Sequence, residues 1–300
     1  MKNALRSAIL SAVLLLLAGC ATTPDCCKAP KEAETKTHWV KYGTNNIHYF
    51  VEGTGAHTLV LIHCWAGNLG FWRYQVPALS KQARLVLIDL PGHGQSDKPH
   101  VDYTMDYFAG AVQAVMDDAH VDKATLIGHS MGVPVICRVY AQAPERVAAL
   151  VAVDGALRRP NMTAEQTDQF IAGFRDPDYQ ENMRRFLATL FPVPGTEALR
   201  DTVISEMLQT PQYVLLGAME GMFGTNQPDW DLQHAKVPVI VINAPNPMWT
   251  DEYKEYARSL SPQTEYHSIE GVGHWLMLEK PMEFNSTLTE SLGKYDLTGH

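Results

Sequence analysis

The 300 residues are enough for one large domain or two small ones, and 46% hydrophobic with 19% charged residues is the balance of a soluble globular chain. A formal charge of −9, with no Lys/Arg cluster, speaks against nucleic acid as a partner. Five cysteines make no disulfide framework for a chain of this length.

Lys2 and Arg6 precede an apolar run from Ala8 to Ala18, which is short for a bilayer span and right for the core of a signal peptide. The run ends Leu17-Ala18-Gly19-Cys20, which resembles the lipobox of bacterial lipoproteins. The resemblance implies a signal peptide of residues 1–19, cleavage before Cys20 and acylation of that cysteine. An ordinary secretory signal with an incidental cysteine is the alternative. Ala21 after the cysteine implies, by the enterobacterial sorting rule, an outer-membrane anchor facing the periplasm. Residues 20–37 are small, polar and charged and read as a flexible tether, with Cys26 and Cys27 inside it.

Beyond residue 38, apolar β-branched runs alternate with helical periodicity, the signature of an α/β sheet. Trp39–Tyr42 and Ile47–Glu52 alternate and lie close together, which predicts an antiparallel hairpin at a sheet edge. Thr58–Ile62, Arg84–Ile88, Ala124–Ile127, Val147–Val153, Val239–Ile242 and Thr264–Ile269 read as further strands, mostly continuous apolar runs covered on both faces. Helices fit Phe71–Ser80, Met105–Ala119, Ser130–Ala143, Thr250–Leu260 and Pro281–Lys294. Residues 155–235 break the alternation, with helical periodicity and no convincing strand. Phe170, Phe174, Met183, Phe186, Leu187, Met207, Met219, Met222 and Phe223 supply its apolar faces. A helical insertion of this composition predicts a cap over a core made of residues 38–154 and 236–300. Most of these side chains would form the cap's own core, and the rest would make a cleft apolar and adaptable.

Ala124–Ile127 runs directly into Gly128-His129-Ser130-Met131-Gly132, with a helical pattern behind it. Strand, sharp turn and helix in that order are the setting in which a serine becomes a nucleophile. The turn strains the serine backbone and holds its side chain clear. The glycines permit close approach of strand and helix, and the helix N-terminus offers free N–H groups to an oxyanion.

Four stretches in order resemble the α/β-hydrolase fold family, specifically its capped serine esterase-like members, and the likeness covers residues 38–297. They are Leu61-Ile62-His63-Cys64-Trp65-Ala66-Gly67, the loop Asp89-Leu90-Pro91-Gly92-His93-Gly94-Gln95-Ser96-Asp97, the Gly128–Gly132 turn, and Gly271-Val272-Gly273-His274-Trp275. The resemblance implies a mostly parallel eight-stranded α/β-hydrolase sheet with helices on both faces and a helical cap inserted after strand 6. It also implies Ser130 as nucleophile, His274 as general base, and an oxyanion hole made by the N–H groups of Met131 and Trp65. His63 is expected to support the oxyanion loop, and His129 to point away from Ser130. A serine in this turn excludes the aspartate-nucleophile branches of the family.

The chain departs from the family pattern in two places. Where most members carry an Asp after the seventh strand, it reads Asn243-Ala244-Pro245-Asn246-Pro247. Two carboxylates remain candidates for the acid. Asp154, directly after Val147–Val153, is the assigned one, and Asp251 at the start of a helical pattern is the alternative. Both keep the order Ser–acid–His. The second departure is Cys64, which stands where members carry glycine and puts a Cβ into the oxyanion loop. Neither Cys64 nor Cys137, expected in the core, has a histidine placed as its base.

The expectation is a serine hydrolase acting on a small or medium, largely apolar ester or acyl compound. It needs no cofactor, and the sequence shows no metal-ligand spacing. Carbon–carbon bond hydrolase, lactonase, thioesterase, perhydrolase and aminopeptidase chemistry would use the same residues. A non-catalytic binding protein on the same fold is the alternative of a different class.

Overall fold

β1 (Thr37–Tyr42) and β2 (Asn45–Glu52) pair antiparallel, turning at Gly43 with φ 60°. In this computed structural model, which describes residues 36–224 and 229–298, β1 forms one edge of an eight-stranded sheet. The signal segment, Cys20, Cys26 and Cys27 lie outside the described residues. β2 pairs antiparallel with β4 (Arg84–Ile88). β3 (Thr58–Ile62), β5 (Ala124–His129), β6 (Val147–Val153), β7 (Val239–Asn243) and β8 (Thr264–Ser268) then continue the sheet in parallel pairs. The strand order is β1-β2-β4-β3-β5-β6-β7-β8. Every residue of β5 and β7 is buried, so layers cover both faces and the alternation of a half-exposed strand is lost.

The helices are α1 (Val76–Leu79), α2 (Met105–Asp118), α3 (Gly132–Gln142), α4 (Ala164–Arg175), α5 (Tyr179–Thr189), α6 (Glu197–Met207) and α7 (Gln212–Phe223). α8 (Asp251–Ser259), α9 (Leu276–Glu279) and α10 (Pro281–Gly293) follow. α2 packs on α3 and on β1, and α3 packs on β5 and β6. α8 lies against β8, and α1 against α10 and β4.

One predicted helix is broken. Phe71–Ser80 splits into a 3₁₀ turn, Leu69–Trp72, and the single turn of α1. Pro77 has no N–H to return to the preceding turn, so the helical run restarts there. Gln75 sits between the two pieces with its side chain buried, donating from Nε2 to Met277 O at 2.9 Å and to Asn285 Oδ1 at 3.0 Å.

Between β6 and β7 the described residues form four helices, α4 to α7, and no strand. α4 starts with a reciprocal cap in which Thr163 accepts from Gln166 N and the Gln166 side chain accepts from Thr163 N. α4 packs on α5 and α7, and α5 on α6. Ile171, Phe174, Met183, Leu187, Val203, Val214 and Leu215 are buried in this insert. Among the described residues no helix is long and apolar enough to cross a membrane.

Candidate active site

Ser130 stands between β5 and α3 with φ 54°, the left-handed region that costs a non-glycine residue about 1–3 kcal/mol. The turn is held in that state from several sides. Ser130 N donates to Val153 O at 2.9 Å, and Val133 N donates to Ser130 O at 2.9 Å. A Cβ on Gly128 would lie 2.3 Å from Gly132 O, and one on Gly132 would lie 2.5 Å from Ile62 O, so both close approaches require glycine. Met131, fully buried, is the N-cap of α3, which puts its N–H among the free donors of that helix end.

His274 comes from the loop after β8. Its Nδ1 donates to Asp154 Oδ2 at 2.6 Å, and the side chains are 18% and 2% exposed. A carboxylate at Nδ1 fixes the proton there and leaves Nε2 as the basic nitrogen. Asp154 directly follows β6 with φ 40°, and its N–H donates to Ile242 O at 3.0 Å. Its other oxygen, Oδ1, accepts from Ala244 N at 3.0 Å and from Trp249 Nε1 at 3.1 Å.

Both of those donors belong to the turn after β7, where the sequence lacks its expected carboxylate. Asn246 Oδ1 accepts from Met248 N at 2.9 Å and Asn246 O accepts from Trp249 N at 2.9 Å, which curls the turn and delivers the indole to Asp154. The turn therefore contributes donors in place of the acid. Asp251 sits apart from this network. Its side chain is 96% exposed in the first turn of α8 and pairs with Lys254 Nζ at 3.4 Å. An acid there complements the helix dipole, and its place on the α8 surface keeps it from serving His274.

The loop that carries Cys64, Trp65 and Ala66 follows β3. The left-handed residue in it is Ala66, with φ 57°, and not Cys64, so a side chain at position 64 carries no backbone strain. His63 is fully buried, donating from Nδ1 to Cys64 O at 2.7 Å and accepting at Nε2 from Leu90 N at 3.1 Å. Burial lowers its pKa and so keeps the ring neutral, as those two bonds require. Burial also pushes the Cys64 thiol up to about 12, so it stays protonated and is no nucleophile at neutral pH.

Ser130, His274, Asp154, Cys64 and Trp65 open into one cavity of about 320 Å³. The insert closes it with Phe170, Phe186, Met207, Met219, Met222 and Phe223, and among the described residues no Lys or Arg lines it. A more polar chamber of about 720 Å³ shares Ala156, Pro160, Met162, Met248 and Trp249 with it and adds Arg158, Arg159, Asp229, Asp231 and Glu252. The larger space carries none of Ser130, His274 or Trp65.

The insert is bonded to both the Trp65 loop and the His274 loop. Trp65 Nε1 donates to Leu215 O in α7 at 3.0 Å, and Thr210 Oγ1 donates to Ala66 O at 3.3 Å. The Trp65 ring meets Phe174 and Phe186 edge-on. His274 N donates to Leu190 O, just after α5, at 3.0 Å, and Phe191 stacks on Trp275 at 4.6 Å. A Cβ on Gly273 would lie 2.4 Å from Leu190 O, so that close approach also needs glycine.

Sequence reasoning missed Trp249 and Leu190, which are distant in the chain from the groups they bind. The role of His129 had a local signal in its place beside Ser130. Its Nε2 donates to His274 O at 2.8 Å, joining the Ser130 turn to the His274 loop. Burial and the neighbouring His274 hold the pKa of His129 well below the ordinary value.

A family model described as alpha/beta hydrolase fold matches residues 57–203. The chain is 32% identical over 211 residues to the pimeloyl-(acyl-carrier protein) methyl ester esterase of Methylococcus capsulatus, covering 66% of this chain and 76% of that one. It is 28% identical to the 2-hydroxy-6-oxononadienedioate/2-hydroxy-6-oxononatrienedioate hydrolase of Paraburkholderia phymatum, over 83% of this chain and 91% of that one. It is also 26% identical over 258 residues to the dihydrolipoyllysine-residue acetyltransferase component of the acetoin cleaving system of Cupriavidus necator. That match takes in 82% of this chain but spans only 66% of the relative's length.

Proposed function

The chain belongs to the α/β-hydrolase fold family, and we propose that it is a serine hydrolase cleaving a small or medium, largely apolar ester or acyl compound through an acyl-enzyme. The observation that carries this reading is the 2.6 Å bond from His274 Nδ1 to Asp154 Oδ2, opening with the strained Ser130 into an apolar cavity. His274 Nε2 takes the Ser130 proton as Oγ attacks the acyl carbon. The N–H groups of Met131 and Trp65 hold the oxyanion, and His274 returns the proton to the departing alkoxide. Water, deprotonated in turn by His274, then attacks the acyl-enzyme, releases the acid and restores Ser130. Asp154 keeps the imidazole oriented and stabilises its protonated form. Residues 155–235 act as a cap that shapes the acyl site.

The lining of the cavity favours an ester over carbon–carbon bond cleavage of a dicarboxylate. The Paraburkholderia phymatum relative is named for a dioate. Here, among the described residues, no Lys or Arg lines the cavity that holds Ser130 and His274, and an unpaired buried carboxylate is costly.

Hydrolysis of p-nitrophenyl esters of increasing acyl length, by the detergent-solubilised full chain, tests the proposal. Activity with an optimum at a short or medium acyl group, and labelling of Ser130 by a fluorophosphonate, are expected. A wild-type protein that is inert on every ester and unlabelled would instead favour a binding protein.

Anchoring through an acylated Cys20 is part of the same proposal and rests on Leu17-Ala18-Gly19-Cys20. Growth with an alkyne fatty acid should label wild type but not Cys20→Ala, and equal labelling of both would end that reading.

A further inference from the structure

We propose that Glu279 is a positioning residue for His274, a second carboxylate under the histidine loop that steadies it and favours the protonated imidazole of the transition state. This rests on the serine hydrolase reading above.

Glu279 ends α9, the single turn that follows His274 and Trp275. Its Oε2 accepts from Gly273 N, the amide directly before His274, at 2.8 Å. The backbone immediately before His274 is thus held by this side chain. Its Oε1 is buried with no hydrogen-bond partner, and a Cβ on Gly273 would lie 3.1 Å from it. The carboxylate therefore sits directly against the backbone that presents the base.

His274 is faced by the Asp154 carboxylate at 2.6 Å and by the buried His129 ring at 4.7 Å, and both His274 and Asp154 act electrostatically on Glu279. The adjacent Lys280 does not neutralise it, because Lys280 Nζ donates to Glu270 O at 2.6 Å and pairs with Glu283 at 3.4 Å. Burial raises the pKa of Glu279, opposed by the Gly273 and Trp275 amides and by His274. A half-buried carboxylate with one bare oxygen is a poor choice for packing alone, since burial disfavours its charge. Beside an imidazole that gains a proton in each chemical step, the same charge lowers the barrier.

The test is the pH dependence of kcat/KM for a p-nitrophenyl ester by the full chain, wild type beside Glu279→Gln and Glu279→Asp. The acid limb reports protonation of the base in free enzyme. Removing a neighbouring negative charge disfavours protonated His274, so in Glu279→Gln the limb should move to lower pH by roughly half a unit. The plateau should also fall, by roughly threefold to tenfold. Glu279→Asp keeps the charge on a shorter stem, so its limb should stay at the wild-type position while its plateau falls. A Glu279→Gln protein with wild-type limb and plateau overturns the proposal, as does a limb displaced equally in both variants. If Glu279→Gln folds too poorly to assay, the limb of Glu279→Asp decides alone, and a downward shift there overturns the proposal. Fluorophosphonate labelling of wild type is run in parallel. Wild type that labels and turns over ester while the variants fail these expectations sinks only the role of Glu279, whereas unlabelled, inert wild type sinks the serine hydrolase reading itself.

Discussion

The indole of Trp249 donates to Asp154 Oδ1 at 3.1 Å, on the carboxylate oxygen that His274 leaves open. Ala244 N shares that oxygen at 3.0 Å. The orientation of Asp154 is thus set from both sides, by His274 and by a turn that lies about 90 residues further along the chain. Trp249→Phe keeps the ring in the wall of the cavity and removes only the N–H. We expect kcat/KM to fall about tenfold, the worth of one hydrogen bond to a charged group. Unchanged kcat/KM in a folded Trp249→Phe protein would show that Ala244 N suffices.

The acid itself is tested by two substitutions. Asp154→Asn should cost roughly three to four orders of magnitude in kcat, because an amide no longer stabilises the correct imidazole tautomer. Asp251→Asn should stay within about twofold and change stability by less than about 0.5 kcal/mol, as for an exposed side chain. Comparable losses in both would sink the assignment.

Met219 lines the cavity from α7 and is almost fully buried. Met219→Phe adds volume and rigidity at the wall, so the preferred acyl chain should become shorter while hydrolysis of acetyl ester persists. The ratio of kcat/KM values across the chain-length series measures this, and an unmoved optimum would place the acyl group elsewhere.

The thiol chemistry follows from burial. With its pKa pushed up to about 12, Cys64 is a protonated thiol at pH 8 and should resist iodoacetamide in the folded protein. Mass spectrometry of the alkylated chain reads this directly, with reaction appearing on unfolding. Because Cys64 does not hold a left-handed conformation, Cys64→Gly should keep activity within a few-fold. Rapid labelling of native Cys64 at pH 8 would contradict its burial.

Acid should unfold the protein through its histidines. Burial holds His93 at about 3, and lowers His63 and His129 as well, while in the unfolded chain each titrates near the ordinary value of 6.5. The unfolded state therefore binds more protons below that value. Stability is full above about pH 6.5 and is lost as pH falls, down to about 3 for His93, by up to ~1.4 kcal/mol per pH unit for each histidine. Urea midpoints between pH 7.5 and 5 should fall accordingly, and His93→Asn should flatten the slope. A flat profile would mean that these rings take up protons in the folded protein as readily as in the unfolded chain.

The fold was legible because its signals are local. β-branched runs marked β3 to β7, and a serine between two glycines marked the turn after β5. The apolar spacing of Phe71–Ser80 is helical, but Pro77 interrupts the run locally and the buried Gln75 is held by residues some 200 positions away. The partners of Asp154 were hidden for the same reason. Nothing near Trp249 in the chain signals a bond to residue 154, which exists only once β6 and β7 lie side by side. Glu279 lies five residues from His274, but a charged residue in a short helical turn gives no sign that it folds back under the loop.

The bonds from the insert to Trp65, Ala66 and His274 bear on how such proteins diversify. A loosely hinged insert could be exchanged between relatives to carry a new preference onto an old core. Here a transplanted segment must also bring a carbonyl to the indole of Trp65 and another to the amide of His274, or the recipient inherits a misaligned catalyst. New selectivity would come more readily from single replacements along the inner walls of α6 and α7 than from wholesale grafting.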